Sequence, residues 1–174
     1  MRADAKTRDE VIEFIVTRSE SLLRSAWLLT GDRHKAEDLL QTVLAELWVR
    51  CGRGGGIDSV DAYVRRMLYT TYLTWWRRRW RFEVPTRDAP DRGHREDLAD
   101  DVSRRTVVEH GLAKLSRRQR AVLVLRFFED RSVEATAALL GCSPGAVKTH
   151  TSRALAVLRE DDSLRDLNRR GGGQ

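Results

Sequence analysis

The chain has 174 residues, 32 lysines and arginines against 26 acids, a formal net charge of +6 and 41% apolar residues. That length holds one domain or two small ones, each with a modest core. No apolar run is long enough to span a bilayer, and the opening MRADAKTRDE lacks the apolar centre of a signal peptide, so a cytoplasmic protein with no membrane insertion is expected.

Catalytic and cofactor chemistry find little support. Cys51 and Cys142 stand far apart, with no C-x-x-C pair for a disulfide framework or a zinc site. His34, His94, His110 and His150 are equally scattered. No phosphate-binding loop, nucleophile elbow or apolar carboxylate pair is present, and glycines 54–56 lack the preceding strand and following lysine of a P-loop. No catalytic residue, metal site or cofactor is expected.

The first helix is predicted over Asp9–Thr30, where Val11, Ile12, Ile15, Leu22, Leu23, Ala26 and Leu29 recur near a 3.6-residue period and Gly31 ends it. Asp32 caps a second helix running to about Val49, with Leu39, Leu40, Val43, Leu44, Leu47 and Trp48 as its core positions. Glu37, Asp38, Gln41, Thr42 and Glu46 are polar, several on a common side, and periodicity alone leaves them either solvated or functional. The run from Cys51 to Gly56 is too glycine-rich for helix or strand.

Ser59 or Asp58 caps a third helix, VDAYVRRMLYTTYLTWWRRRWR, with Val64, Met67, Leu68, Thr71 and Trp75 as its buried stripe. Its end interleaves Trp75, Trp76 and Trp80 with Arg77, Arg78, Arg79 and Arg81. Late arginines suit the helix macrodipole, and the same cluster can also stack bases and hold phosphates.

The stretch 83–101, EVPTRDAPDRGHREDLADD, has seven acids, three arginines and two prolines without apolar periodicity, the composition of a flexible linker. From about Val102 a helix leads through Val107, Val108, Leu112 and Leu115 to three further helices. The first, Arg117 to Phe128, has Ala121, Val122, Val124, Leu125 and Phe128 on its apolar face. Glu129-Asp130-Arg131 breaks it, and Ser132 caps a helix from Val133 to Leu140. Gly141 supplies the positive-φ stop, and Ser143-Pro144 opens the last helix, to Arg159, with Val147, Thr151, Ala154, Leu155 and Leu158 inward. The tail after Arg159 loses the pattern and is expected to fray.

These last two helices have the helix-turn-helix layout, in which the second helix enters the major groove. Small residues Ala137, Ala138, Gly141 and Gly145 are expected to let the pair approach closely. Lys148 and Arg153 can reach phosphates or a guanine edge, and Thr149 and Ser152 are short donors and acceptors for base edges. A solvated amphipathic hairpin would carry the same charges, but the caps, turn and charge placement together favour DNA. The fold class is therefore all-α, two small helical domains joined by a flexible acidic linker, the second a helix-turn-helix. The bounds are 9–82, 83–101 for the linker, 102–160, and a tail over 161–174.

With both parts in view, LLRSAWLLTGDRHKAEDLLQTVLAELW, AYVRRMLYTTYLTWWRRRW and the stretch from Leu115 to Arg159 resemble the extracytoplasmic-function sigma factors of bacteria, group IV, in their compact two-domain form. The paired-tryptophan arginine run resembles the SigE-like subgroup. The resemblance implies a protein that binds core RNA polymerase, recognises minus-ten and minus-thirty-five promoter elements and promotes initiation. It places Glu37, Asp38, Gln41 and Thr42 on the clamp helices of the β′ subunit. Arg65, Arg66, Tyr69, Thr70, Trp75, Trp76, Arg77 and Arg78 fall on the minus-ten strand, with the loop from Gly52 to Ser59, glycines 54–56 included, beside a flipped base. Lys148, Thr149, Ser152 and Arg153 fall on the minus-thirty-five element, with Arg118 and Arg126 on phosphates. An anti-sigma protein is a further partner that the family admits.

The chain departs from the family at Thr70 and Thr74, where Asn and Asp are commoner, at His150 and Thr151, and in a loop without the usual aromatic. The base preferences of the family therefore do not transfer. The competing reading is a LuxR-like helix-turn-helix regulator of duplex operators, suggested by VKTHTSRALAVL. Such regulators usually add a sensing or receiver domain, and residues 10–82 show no βα alternation.

Overall fold

The computed structural model describes residues 2–53, 57–79 and 107–161, without the side chains of 2–8 and 76–79. The acidic segment 83–101, the glycines 54–56 and the tail beyond Asp161 lie outside the described residues. Every regular element among them is helical: α1 (Arg2–Thr30), α2 (Arg33–Gly52), α3 (Val60–Arg79), α4 over 107–113, α5 (Arg117–Leu123), a π-helical turn (Val124–Phe128), α6 (Val133–Leu140) and α7 (Pro144–Arg159). Helix α1 begins seven residues before the predicted Asp9, because its polar lead-in carries no apolar stripe for periodicity to find.

The helix ends obey local chemistry. Gly31 has φ +72° and donates its amide to the Trp27 carbonyl at 2.7 Å, closing α1. Asp32 then caps α2, its carboxylate accepting from the Lys35 amide at 2.7 Å. The Ser59 hydroxyl accepts from Ala62 at 3.3 Å to start α3. Ser116 and Gln119 form a reciprocal capping box on α5, and Ser132 and Ser143 cap α6 and α7. Helices α6 and α7 run over the predicted bounds, with Gly141 left-handed at φ +63° between them.

One core joins the two halves of the chain. Val11, Leu22, Ala26 and Leu29 of α1, Leu39, Val43 and Leu47 of α2, and Val64, Leu68, Tyr69 and Tyr72 of α3 cluster with Ala121, Val124 and Leu125 from beyond the acidic segment. Leu28 of α1 packs on a second cluster of Leu112, Leu115, Leu123 and Ala154. A third, Val122, Ala137 and Val147, fastens α5, α6 and α7 together. Helix α3 packs against both α5 and α6.

Several expected core positions lie elsewhere. Trp48 is half exposed, because the buried positions Leu39, Leu40, Val43, Leu47 and Cys51 set a stripe that it falls outside. Ile12 likewise sits beyond the edge of the α1 stripe. Phe128 was expected inward and Val108 core-facing, yet both are exposed. For Phe128 the cause is the π turn: the Glu129 amide reaches back five residues to the Val124 carbonyl at 2.9 Å. The extra residue in that turn swings Phe127 and Phe128 outward and directs Glu129 toward α1 and α3.

The helix-turn-helix is also closed differently from expectation. Ala137 is buried, but Ala138 is exposed, and a Cβ at Gly141 would meet nothing within 4 Å. At Gly145 it would meet only the Ser143 hydroxyl, at 3.8 Å. Gly141 is there for its backbone angle, not for close approach. Asp161, placed at the start of the fraying tail, is buried and paired with Lys114 at 2.9 Å.

Candidate nucleic-acid interface

Helix α7 presents the expected face. Lys148, Thr149, Ser152 and Arg153 are all exposed, while Val147 and Ala154 are buried on the opposite side. The N-terminal turn at Ser143, Pro144 and Gly145 is exposed as well, so the end of α7 is open to an incoming duplex. The Thr149 hydroxyl donates to the Gly145 carbonyl at 3.0 Å, which leaves its oxygen as an acceptor. Arg118 is exposed on α5. Arg126 is half-buried and donates to the Arg131 carbonyl, closing the turn between the π segment and α6.

Helix α2 presents a second, separate face. Asp38 and Gln41 are exposed. Thr42 is half-buried with its hydroxyl on the Asp38 carbonyl at 2.8 Å, and Glu37 pairs with Arg33 at 3.0 Å. Ala45, Trp48 and Val49 continue this side as an exposed strip. Trp48 belongs to it by helical register.

The α3 residues are divided. Arg66 and Thr70 are exposed, and Trp75 is half-buried against the first core. The side chains of Trp76, Arg77 and Arg78, like the loop at 54–56, lie outside the described residues. Arg65 and Tyr69 are buried, and both face Glu129.

Glu129 is the centre of a polar cluster that no periodicity pointed to. Its carboxylate accepts from the Ser25 hydroxyl of α1 at 2.8 Å, from the Tyr69 hydroxyl of α3 at 2.8 Å and from the Arg65 guanidinium. Arg65 is also bidentate through Nε on Asp61, at 3.0 Å to each oxygen. Arg131 reaches Asp61 at 3.5 Å and Glu129 at 3.9 Å. Burial pushes the Tyr69 phenol well above its ordinary range, and the neighbouring Glu129 charge adds to this. Burial alone would lower the Arg65 guanidinium, but Asp61 and Glu129 outweigh it and raise its pKa. The only sequence signal for this cluster was one acid directly after an apolar run.

A second clasp lies nearby. Arg120 of α5 is buried and donates Nε to the Leu28 carbonyl in the last turn of α1, where a cation also meets the negative end of the helix dipole. Burial lowers its pKa, offset in part by Tyr72 and Glu109.

Among the described residues, no group of three or more histidines, cysteines or acids is placed to hold a metal ion, and no helix is long and apolar enough to cross a membrane.

The family described as "Sigma-70, region 4" matches residues 105–158, the part of the chain that carries α5, α6 and α7. The RNA polymerase sigma-E factors of Streptomyces avermitilis and Streptomyces coelicolor are each 43% identical to the chain over 164 residues. The matches cover 92% of this chain, and 89% and 90% of those proteins. Among solved structures, the sigma factor RpoE from Bartonella quintana, in complex with the anti-sigma factor NepR, is 26% identical with a TM-score of 0.63. That likeness covers 87% of this chain and 95% of RpoE. CnrH, in complex with the cytosolic domain of CnrY, shares the fold at 20% identity, with a TM-score of 0.63 over 91% of this chain and 90% of its own. With identity at this level running through both helical parts, the protein belongs to the extracytoplasmic-function family of RNA polymerase sigma factors.

Proposed function

We infer that this sigma factor directs core RNA polymerase to promoters through three surfaces of one chain. Sigma factors are initiation factors and not enzymes, so the work to be explained is binding. The reading divides the chain into a domain over 9–82 for polymerase and the minus-ten element, a linker over 83–101 and a domain over 102–160 for the minus-thirty-five element. It acts in the cytoplasm, with the chromosome.

The observation that carries the reading is the exposed quartet Lys148, Thr149, Ser152 and Arg153 on a capped, open-ended second helix of a helix-turn-helix. In a major groove, the cations position the helix on phosphates or a guanine, and the hydroxyls meet base edges. Arg118 is placed to add a phosphate contact. Asp38 and Gln41, with Glu37 and Thr42, are the proposed polymerase face. On α3, Arg65, Arg66, Tyr69 and Thr70, followed by Trp75, Trp76, Arg77 and Arg78, are the proposed surface for the exposed minus-ten strand. Each base drawn out of the stack costs a few kcal/mol, and stacking plus phosphate contacts on such a surface offset it without hydrolysis. The likeness to RpoE, held by NepR, supports an anti-sigma protein as a further partner of this chain.

A LuxR-like regulator is disfavoured because the sigma-E likeness extends across 92% of the chain. The test is run-off transcription from a genomic fragment library by purified core polymerase. Discrete start sites that appear only on adding this protein are expected. Unaided operator binding that merely raises or lowers existing transcripts would overturn the reading.

A further inference from the structure

We propose that Arg50 and Tyr63 form a stacking platform for one unpaired base of the promoter's non-template strand, where the end of α2 meets the start of α3. The inference rests on the reading of α3 as the minus-ten helix, and names a base-holding pair for it.

Two observations carry it. The first is a stack. The Arg50 guanidinium carbon, in the last turn of α2, lies over the Tyr63 ring, 5.4 Å from its centroid. Tyr63 stands in the first turn of α3, where its amide donates to the Ser59 carbonyl at 3.0 Å. The ring is half-buried and packs on the first core, whereas Arg50 is exposed. A planar cation is therefore backed by an anchored ring and open to solvent. The second observation is register. Tyr63, Arg66, Thr70 and Thr74 recur three and four residues apart, which sets them on one side of α3. Val64, Leu68 and Tyr72 bury the other side. Arg66, Thr70 and Thr74 are exposed, so Arg50 and Tyr63 begin an open track along the helix. Arg65 and Tyr69 are buried and lie off this track.

The chemistry suits an unpaired base. Bases of single strands stack on guanidinium planes and aromatic rings, whatever their identity, because every base has a π face. In a duplex those faces are covered by neighbouring bases, so the platform favours the opened strand without choosing its sequence. The loop that joins α2 to α3, residues 52–59, contains no aromatic residue of its own, and Tyr63 supplies a ring just beyond it. Arg53 and Arg66 are exposed on either side of the pair in sequence and add positive charge for the adjoining phosphates. Arg50 also suits the C-terminal end of the α2 dipole. A lysine would serve there equally well, but it has no plane to stack on. That difference separates the two roles.

The test compares holoenzymes made from purified core polymerase with wild type, Arg50→Lys, Tyr63→Leu and Tyr63→Phe. The probe is a fork-junction DNA from a promoter mapped by run-off with wild type. Its minus-ten non-template strand is single-stranded and carries one abasic site, stepped through each position. Arg50→Lys should bind the intact fork about tenfold more weakly, the scale of one lost base stack. At one position where an abasic site weakens wild type, it should cost Arg50→Lys nothing further. Tyr63→Leu should lose the same position, and Tyr63→Phe, which keeps the ring, should match wild type. Binding to a fully duplex minus-thirty-five fragment should be the same for all four. The platform is overturned if Arg50→Lys binds the fork as wild type does. It is also overturned if the loss is spread evenly over all abasic positions, or is shared by the duplex fragment, since both mark a general structural defect. Should Tyr63→Leu fail to fold, Arg50→Lys decides alone. Wild type that yields no start sites overturns the sigma-factor reading itself, whereas active wild type with indifferent variants overturns only the platform.

Discussion

The Arg120 guanidinium reaches across from α5 to donate to the Leu28 carbonyl, and it lies over the glycine that ends α1. A Cβ at Gly31 would stand 3.1 Å from the Arg120 Nη2, at a position whose φ is +72°. Two independent features therefore disfavour a side chain there. At Gly141 only the backbone angle, +63°, does so. Gly31→Ala should cost about 2 kcal/mol and Gly141→Ala about 1 kcal/mol in urea unfolding. In an Arg120→Ala background the two glycine substitutions should cost about the same, and a persistent gap would show that the Arg120 clasp is not made in solution.

Removing Arg65 should expose the worth of its partner. Arg65 and Glu129 have 9% and 5% of their side chains exposed, so Arg65→Met leaves a carboxylate in a site that water does not reach. Such losses run to about 3 kcal/mol. Calorimetry should show a lower Tm or a split transition, whereas an unchanged single transition would contradict the buried pair.

Tyr69 makes stability fall at alkaline pH. Its folded-state pKa lies well above the ordinary value of 10.0, so the unfolded chain ionises first. A raised folded pKa gives stability that is complete below the unfolded value and is lost as pH climbs through and above 10. Tyr69→Phe should reduce that alkaline decline, leaving the part due to Tyr72, which burial also raises, while lowering stability at pH 7, because Glu129 loses a donor. If the slope above pH 10 matches wild type, another group is responsible.

The two exposed faces should separate genetically. Lys148→Ala or Arg153→Ala should weaken promoter selection, with core binding intact, and each lost phosphate contact should lower the salt slope of DNA binding by about 1. Asp38→Ala or Gln41→Ala should impair core binding and leave promoter preference alone. Finding both sets equally harmless in reconstituted transcription would discard these assignments.

Much of the molecule is determined locally and so was legible in the chain. Asp32, Ser132 and Ser143 cap because an oxygen at that spacing satisfies orphan amides, and Gly31 and Gly141 turn because glycine, with no Cβ, takes a positive φ at no steric cost. The α7 face follows from the same periodicity: burying Val147 and Ala154 leaves Lys148, Thr149, Ser152 and Arg153 outside. Tertiary packing alone decided the rest. A five-residue turn in place of a four-residue one rotated Phe128 out of the core and Glu129 into it, and no side-chain pattern encodes that choice. The resemblance set Arg65 and Tyr69 on the promoter strand, and nothing local in the chain announces the partner that buries them, 64 and 60 residues away. A buried charge is stable only where its counter-charge arrives, and that meeting belongs to the folded chain.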